Sequence, residues 1–375
     1  MRVIVASDKF KGSLTAAQVA HHVTLGLRRV VPDLAVAQVP VADGGDGTVA
    51  AALSAGFRFV PVCAEGPTGA RVRTGYAVRN GVAVVELADV SGLRRLPGTE
   101  FAPMTASSYG TGEVLRAALD AGCREMVLGV GGSACTDGGA GMVQALGARL
   151  YDMAGVDIAR GGGALSRLHR IDLASLHPSL ATTDVVVASD VDNPLLGVHG
   201  AAAVYGPQKG ASAADVASLD AALHRWAALV RDATGVDLAC APGAGAAGGV
   251  GFGALAVLGA SMRPGIELIL DLVDFAGQMQ GATLVITGEG SLDDQTLRGK
   301  APAGVAMAAR PSGVPVVAVA GRCLLSPQTL QAAGIRRAYA LTELEPDPHR
   351  CLRDAGQLLE RVAEQVARDW VKRYP

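Results

Sequence analysis

The sequence predicts an α/β protein of two domains. Three observations carry that expectation. The chain has 375 residues, more than one hydrophobic core usually organises. An apolar run, a polar or glycine-rich turn and a helix-like segment recur in that order along it. Between about Val60 and Val90 the texture changes, and "RVRTGYAVRNGVAVVEL" alternates around Asn80–Gly81 as a β-hairpin does. The change suggests a second α/β domain over residues 63–277, inserted after the first βαβ unit. Residues 1–62 and 278–375 then form one discontinuous domain with a parallel sheet. Two domains imply a cleft, and the cleft is the expected place for an active site.

The elements follow in order. "RVIVAS" is a strand that delivers Asp8–Lys9, and the segment after Ser13 opens a helix toward Arg29, with Thr15 as its cap. "VAQVPVA" leads to Asp43–Gly44–Gly45–Asp46, and "EMVLGV" to Gly131–Gly132–Ser133. "DVVVAS" leads to Asp190, "TLVIT" to Gly288–Glu289–Gly290, and "VPVVAVA" to Gly321–Arg322. Segments 112–122, 213–232, 301–310 and 350–373 read as helices. Open parallel sheets bind ligands beyond the carboxyl ends of their strands, and each polar cluster stands at such an end. "VVVASDVDNP" is the sharpest case: valines that suit a strand enclosed on both faces run into Asp190, Asp192 and Asn193. If the backbone stays extended, the two carboxylates share one side, and Pro194 stops further pairing.

Composition narrows the function. Half of the residues are hydrophobic, 4% are aromatic and 49 are glycine, so the cores are built from small and branched aliphatics joined by tight turns. A formal charge of −2 with no long basic run argues against a nucleic-acid surface and favours a small-molecule partner. The six cysteines form no CxxC pair, which fits a reducing cytoplasm. The N-terminus meets charge after too few apolar residues for a signal-peptide core. The uncharged stretch Leu238–Met262 is too rich in glycine for a membrane span and reads as a glycine-rich loop feeding a buried helix. No membrane partner is expected, and homodimer formation is left open.

Five stretches carry chemistry. "SDKFKGSL" places Lys9, Lys11, Gly12 and Ser13 on a strand-to-helix turn, where backbone amides and the helix dipole favour phosphate; a solvated turn with surface lysines is the other reading. "PVADGGDGT" sets Asp43 and Asp46 around Gly44–Gly45, which suits a hard cation such as Mg²⁺ or, alternatively, an Asx-type turn. "SSYGTGE" and "GVGGSACTDGGAG" expose hydroxyls and bare amides that let a ligand approach, or merely supply positive φ. "TGEGSLDDQTLRGK" gathers Glu289, Asp293, Asp294, Arg298 and Lys300 beside a buried strand. A formal GxGxxG at Gly243, Gly245 and Gly248 has neither the preceding strand nor the acid of a dinucleotide site. Walker A, GxSxG, HExxH and protein-kinase signatures are missing. An inventory of carboxylates, lysines and amides suits phosphoryl transfer, which depends on positioning and charge neutralisation.

In order, "SDKFKGSLTA", "VPVADGGDGT", "YGTGE", "GVGGSACTDGGAGMVQALG", "SDVDNPLLG", "GPQKGA", "PGAGAAGGVGFG", "ITGEGSLDDQT" and "GKAPAGVA" closely resemble the class I glycerate kinase family, over nearly the whole chain. The resemblance implies ATP- and Mg²⁺-dependent phosphorylation of D-glycerate, usually at the 2-hydroxyl to give 2-phosphoglycerate, in glycerate or glyoxylate metabolism. It also implies a split flavodoxin-like domain and an inserted α/β domain with the site between them. Asp46, Cys135–Thr136, Ser291 and Asp294 depart from the forms common in the family. On this resemblance Asp190 is expected to be the general base, with Asp192 or Asn193 orienting it or holding metal through water. Lys9 and Lys11 would neutralise phosphate, and Asp43, Asp46 and Asp192 would help hold Mg²⁺. Gly12, Ser13, Asp43, Gly44, Gly45, Asp46, Gly131, Gly132, Ser133, Gly288, Glu289 and Gly290 would contact the nucleotide. Tyr109, Gly110, Thr111, Asn193 and Asp293 would contact substrate. A kinase for another small hydroxy acid, or a metabolite sensor without turnover, would use the same cleft.

Overall fold

The computed structural model describes residues 1–98 and 100–372, without the side chain of Arg298. In chain order the strands are β1 (Arg2–Ser7), β2 (Ala35–Gln38), β3 (Arg58–Glu65), β4 (Arg71–Arg79), β5 (Val82–Glu86), β6 (Glu125–Gly129), β7 (Arg149–Tyr151), β8 (Arg170–Asp172), β9 (Asp184–Ala188), β10 (Ser261–Arg263), β11 (Leu284–Leu292), β12 (Val316–Cys323) and β13 (Ile335–Ala340). The chain divides into two compact units: Met1–Asp43, Ala50–Ala55 and Pro264–Pro375 form the first, Gly44–Val49 and Gly56–Arg263 the second.

The first unit holds one all-parallel sheet in the order β13-β12-β11-β1-β2. Counted within the unit this is 2-1-3-4-5, the flavodoxin-like doubly wound order, whose direction of winding reverses between β1 and β11. Both faces are covered, as parallel strands require. Val3, Val5, Ile286, Val317 and Val319 belong to one core cluster, together with Val23, Leu27, Leu359 and Val362 from helices Ala16–Val30 and Ala355–Val366. Ile4, Ala6, Val285, Ala318 and Ala320 belong to the other, with Ile266, Ile269 and Val305. The two helices of the first cluster approach closely at Gly26, where an added Cβ would meet the Glu360 carbonyl and lie 2.7 Å from Ala363 Cβ.

The second unit has a six-stranded sheet in the order β10-β9-β6-β5-β4-β3, parallel from β10 to β5 and antiparallel thereafter, plus the small ribbon β7-β8. The β4–β5 turn is the expected hairpin, with Asn80 at φ 51° and Gly81 at φ 82°, the left-handed pair that a two-residue turn between twisted strands requires. Val185 and Val187 are buried in the core, whereas Val186 is half-buried, so β9 is less enclosed than its three valines suggest.

The expected domain limits shift for packing reasons. β3 pairs with β4 along eight residues, which draws residues 56–62 into the second unit. Helix Gly265–Leu272 puts Ile266, Ile269 and Leu270 into the first unit's core, so residues 264–277 belong there. The helix expected over 350–373 is three elements, Pro348–Arg353, Ala355–Val366 and Ala367–Val371, and Arg373 lies outside the described residues. No helix among the described residues is long and apolar enough to cross a membrane.

Candidate active site

In the first unit the ionisable groups collect at the point where the winding reverses. β1 and β11 run side by side with Ser7 opposite Gly288, so the next residues, Asp8 and Glu289, leave the same sheet edge as neighbours. Asp8 is buried, accepts from the Lys9 amide at 2.6 Å and pairs with the Lys9 ammonium at 3.3 Å. Burial pushes its carboxyl up to about 6; Lys9 pulls it down and Asp43 adds to the rise. Glu289 accepts from the Thr296 hydroxyl at 2.5 Å and stands 3.9 Å from the Lys300 ammonium. Burial pushes it up to about 7, against Thr296 and Lys300, with Asp8 and Asp293 adding to the rise. Two adjacent carboxyls are thus brought into the range where a proton is gained or lost near neutrality.

The turn after β1 is less open to an anion than its sequence suggests. The amides of Phe10, Ser13 and Leu14 donate within the turn, and the Ser13 hydroxyl donates to the Phe10 carbonyl at 3.1 Å. Thr15 and Gln18 close the helix with a capping box, so the helix end satisfies itself. Lys11 and Gly12 are the exposed residues of this turn, whereas Lys9 and Ser13 are half-buried. Gly288 and Gly290 are packing positions: a Cβ on Gly288 would lie 2.9 Å from Val319 Cγ2, and one on Gly290 3.2 Å from the Lys11 nitrogen. Asp293, expected at the substrate, organises its own turn, accepting from the Gln295 amide at 2.9 Å and the Ser291 hydroxyl at 3.3 Å.

In the second unit β5, β6, β9 and β10 are parallel and end at one edge. Gly129 stands opposite Ala188, so the loop after β6 and the loop carrying Asp190 leave from adjacent strands. The amides of Gly131, Gly132 and Ser133 donate to no acceptor among the described residues, and Gly132 has φ 76°. Successive amides around a left-handed residue form a concavity suited to phosphate oxygens. Gly131 also serves packing, since its Cβ would come within 2.6 Å of Gly45 Cα; a Cβ on Gly129 would lie 2.7 Å from the Gly44 carbonyl oxygen. Asp190 and Asp192 are exposed, Asp192 near Tyr205. Asn193 holds the loop in place: its amide oxygen accepts from the Tyr205 hydroxyl at 2.6 Å and its nitrogen donates to the His199 carbonyl at 2.9 Å.

Three other expected site residues have partners of their own. Asp46 is ion-paired with Arg94, which also bonds Glu86 at 3.0 Å, a pairing that a cation would have to break. Glu86, buried and pushed up by that burial, accepts from the Gly47 and Val49 amides at 3.1 and 3.2 Å and so fixes the Gly44–Val49 segment. Gly110 and Thr111, expected at the substrate, are closely packed: a Cβ on Gly110 would strike the Glu65 carbonyl, and fully buried Thr111 donates to Ser91 Oγ at 2.9 Å. Tyr109 is half-buried, with the Arg160 guanidinium 3.0 Å above its ring.

Among the described residues no three His, Cys, Asp or Glu side chains are close enough to form a metal cage. Oxygen donors such as Asp43 and Asp8 suit Mg²⁺, which is commonly held by one or two carboxylates together with substrate phosphates and water. The sequence places Asp8 at the end of the first strand but assigns it no role, although an acid at the carboxyl end of a parallel strand is itself a signal. Sequence reasoning gave no role to Glu86, Asp137, Tyr205 or Lys209, whose surroundings arise only in three dimensions. Asp137 is fully buried and accepts from the Ser108 amide at 2.8 Å, both serine hydroxyls of Ser107–Ser108, and the Gly139 amide at 3.2 Å. It thereby anchors the start of helix Tyr109–Asp120 to the glycine loop.

Comparison with known proteins identifies the family. Residues 3–371 match the model of the glycerate kinase family. A glycerate kinase of Halalkalibacterium halodurans is 43% identical over 97% of each chain. A glycerate 2-kinase of Escherichia coli K12 is 43% identical over 86% of this chain and 85% of its own. A crystal structure of a Salmonella typhimurium LT2 protein, provisionally assigned as glycerate kinase 2, superposes with a TM-score of 0.85 at 42% identity, covering 98% of each chain. With a parallel sheet of flavodoxin-like order, strand-end carboxyls and this likeness along its length, the chain belongs to the glycerate kinase family.

Proposed function

We propose that the protein transfers the γ-phosphoryl group of ATP to the 2-hydroxyl of D-glycerate, giving 2-phosphoglycerate, in cytoplasmic glycerate or glyoxylate catabolism. One observation carries the reading: an amide concavity at Gly131–Ser133 and the carboxylate of Asp190 leave adjacent strand ends of one sheet. The first chemistry suits phosphate and the second a hydroxyl. The name of the Escherichia coli relative supports the 2-position, and six free cysteines suit a reducing compartment.

Each group has a role. The Asp190 carboxylate aligns the glycerate hydroxyl and takes its proton as the new O–P bond forms, an effect commonly worth about 10²–10⁴-fold. The amides of Gly131, Gly132 and Ser133 and the ammonium groups of Lys9 and Lys11 neutralise phosphate charge. Asp43, with Asp8 beside it, is the donor set for Mg²⁺, which when bound supplies charge neutralisation at the phosphates. Asn193 and Tyr205 hold the Asp190 loop in shape.

The test is ADP release by the purified protein with Mg²⁺–ATP and D-glycerate, followed by phosphorus NMR of the product. Stoichiometric ADP and 2-phosphoglycerate are expected. A dominant 3-phosphate overturns the regiochemistry. ADP release only with another hydroxy acid overturns the substrate, and none with any acceptor leaves a sensor.

A further inference from the structure

Lys209 lies in the "GPQKGA" stretch, which the roles above leave unused. It ends the short helical turn Pro207–Lys209 and is 2% exposed, an uncommon place for an ammonium group. No carboxylate among the described residues lies within ion-pair distance. Its Nζ donates to Ser133 Oγ at 2.8 Å and to the Cys135 carbonyl at 2.5 Å. Burial pulls its pKa down, with Cys135 and Asp137 acting in the opposite sense.

The surroundings are built closely around this side chain. Ala247, Gly248 and Gly249 interrupt their helix with three successive left-handed conformations, at φ 55°, 69° and 88°. A Cβ on Gly248 would lie 2.8 Å from Lys209 Nζ and would strike the Cys135 carbonyl. The Gly248 carbonyl accepts from the Gly138 amide at 3.0 Å. The left-handed segment and the buried lysine therefore brace one stretch of chain, which carries the Gly131, Gly132 and Ser133 amides that donate to no acceptor among the described residues. A buried cation bonded only to neutral acceptors is costly for the fold, so its return is sought in what it holds.

We propose that Lys209 is a positioning residue for the nucleotide. Acting through Ser133, its ammonium holds the Gly131–Cys135 loop in the form whose amides receive phosphate oxygens. This rests on the nucleotide-binding reading of that loop. Lys209 does not touch the reacting atoms.

A double-mutant cycle in the full-length protein tests it, with Lys209→Met, Ser133→Ala and the pair compared for KM(ATP), kcat and calorimetric affinity for ADP and adenosine. Lys209→Met is expected to raise KM(ATP) about 10- to 100-fold, as loss of a hydrogen bond to a charged group would. ADP should weaken by more than adenosine, because the loop serves phosphate. The double variant should be little worse than Lys209→Met alone, since one residue works through the other. The proposal is overturned by an unchanged KM(ATP), by additive effects, or by equal losses for ADP and adenosine. If Lys209→Met does not fold, Lys209→Gln enters the same cycle under the same criteria. If neither folds, Lys209 serves the fold and the proposal falls. Failure of the underlying reading looks different, because the wild-type protein would then release no ADP.

Discussion

Asp8→Asn should change the pH dependence of stability in the first unit. Asp8 is buried at the end of β1, and its carboxyl is raised from the usual 3.8 to about 6, chiefly by burial. Because the folded chain holds this proton more tightly than the unfolded one, the group favours folding fully below pH 3.8. That contribution is lost as the pH rises toward 6. At 1.36 kcal/mol per pH unit the loss is about 3 kcal/mol, the Lys9 ion pair being already included in the value near 6. Asparagine keeps the shape and never ionises. The stability of Asp8→Asn relative to wild type should therefore improve by up to about 3 kcal/mol between pH 4 and pH 7.5. Urea unfolding at several pH values measures this, and Trp370 in the first unit and Trp226 in the second distinguish the two transitions in single-tryptophan backgrounds. A difference between variant and wild type that stays constant with pH would refute the reasoning, because Asp8 would then ionise alike in both states.

Asp190→Asn should lower kcat by about 10²–10⁴-fold while leaving thermal stability and nucleotide binding nearly intact, since Asp190 is exposed and the change removes a proton acceptor; near wild-type turnover would move the base to Glu289. Replacing Lys9 or Lys11 by Met should raise KM(ATP) or lower kcat with the fold preserved, and unchanged constants in both would make the turn purely structural. Gly26→Ala should destabilise the first unit by about 1–3 kcal/mol, because the new methyl group meets the Glu360 carbonyl of the facing helix; an unchanged midpoint in thermal unfolding contradicts that packing.

The strands, the Asn80–Gly81 turn and the Thr15-capped helix were legible in the chain because they follow from neighbours in sequence: apolar periodicity, a left-handed dipeptide and a side chain reaching its own backbone. So was the place where charged residues collect, because those that follow buried strands must emerge at a sheet edge. Which charges meet depends on residues distant in the chain. The 2-1-3-4-5 order makes Asp8 the neighbour of Glu289, and the shared edge of β6 and β9 brings Gly131 beside the Asp190 loop. Several side chains expected at the site have a local or tertiary partner that the motif does not reveal: Asp293 its own turn, Asp46 the guanidinium of Arg94, Thr111 the hydroxyl of Ser91. Lys209 is the extreme case. In sequence it is a lysine between a glutamine and a glycine, and only packing removes it from water. Local sequence thus determined the elements and the kind of chemistry. Tertiary structure decided burial and partners, because desolvation and electrostatic pairing depend on distance in space rather than along the chain.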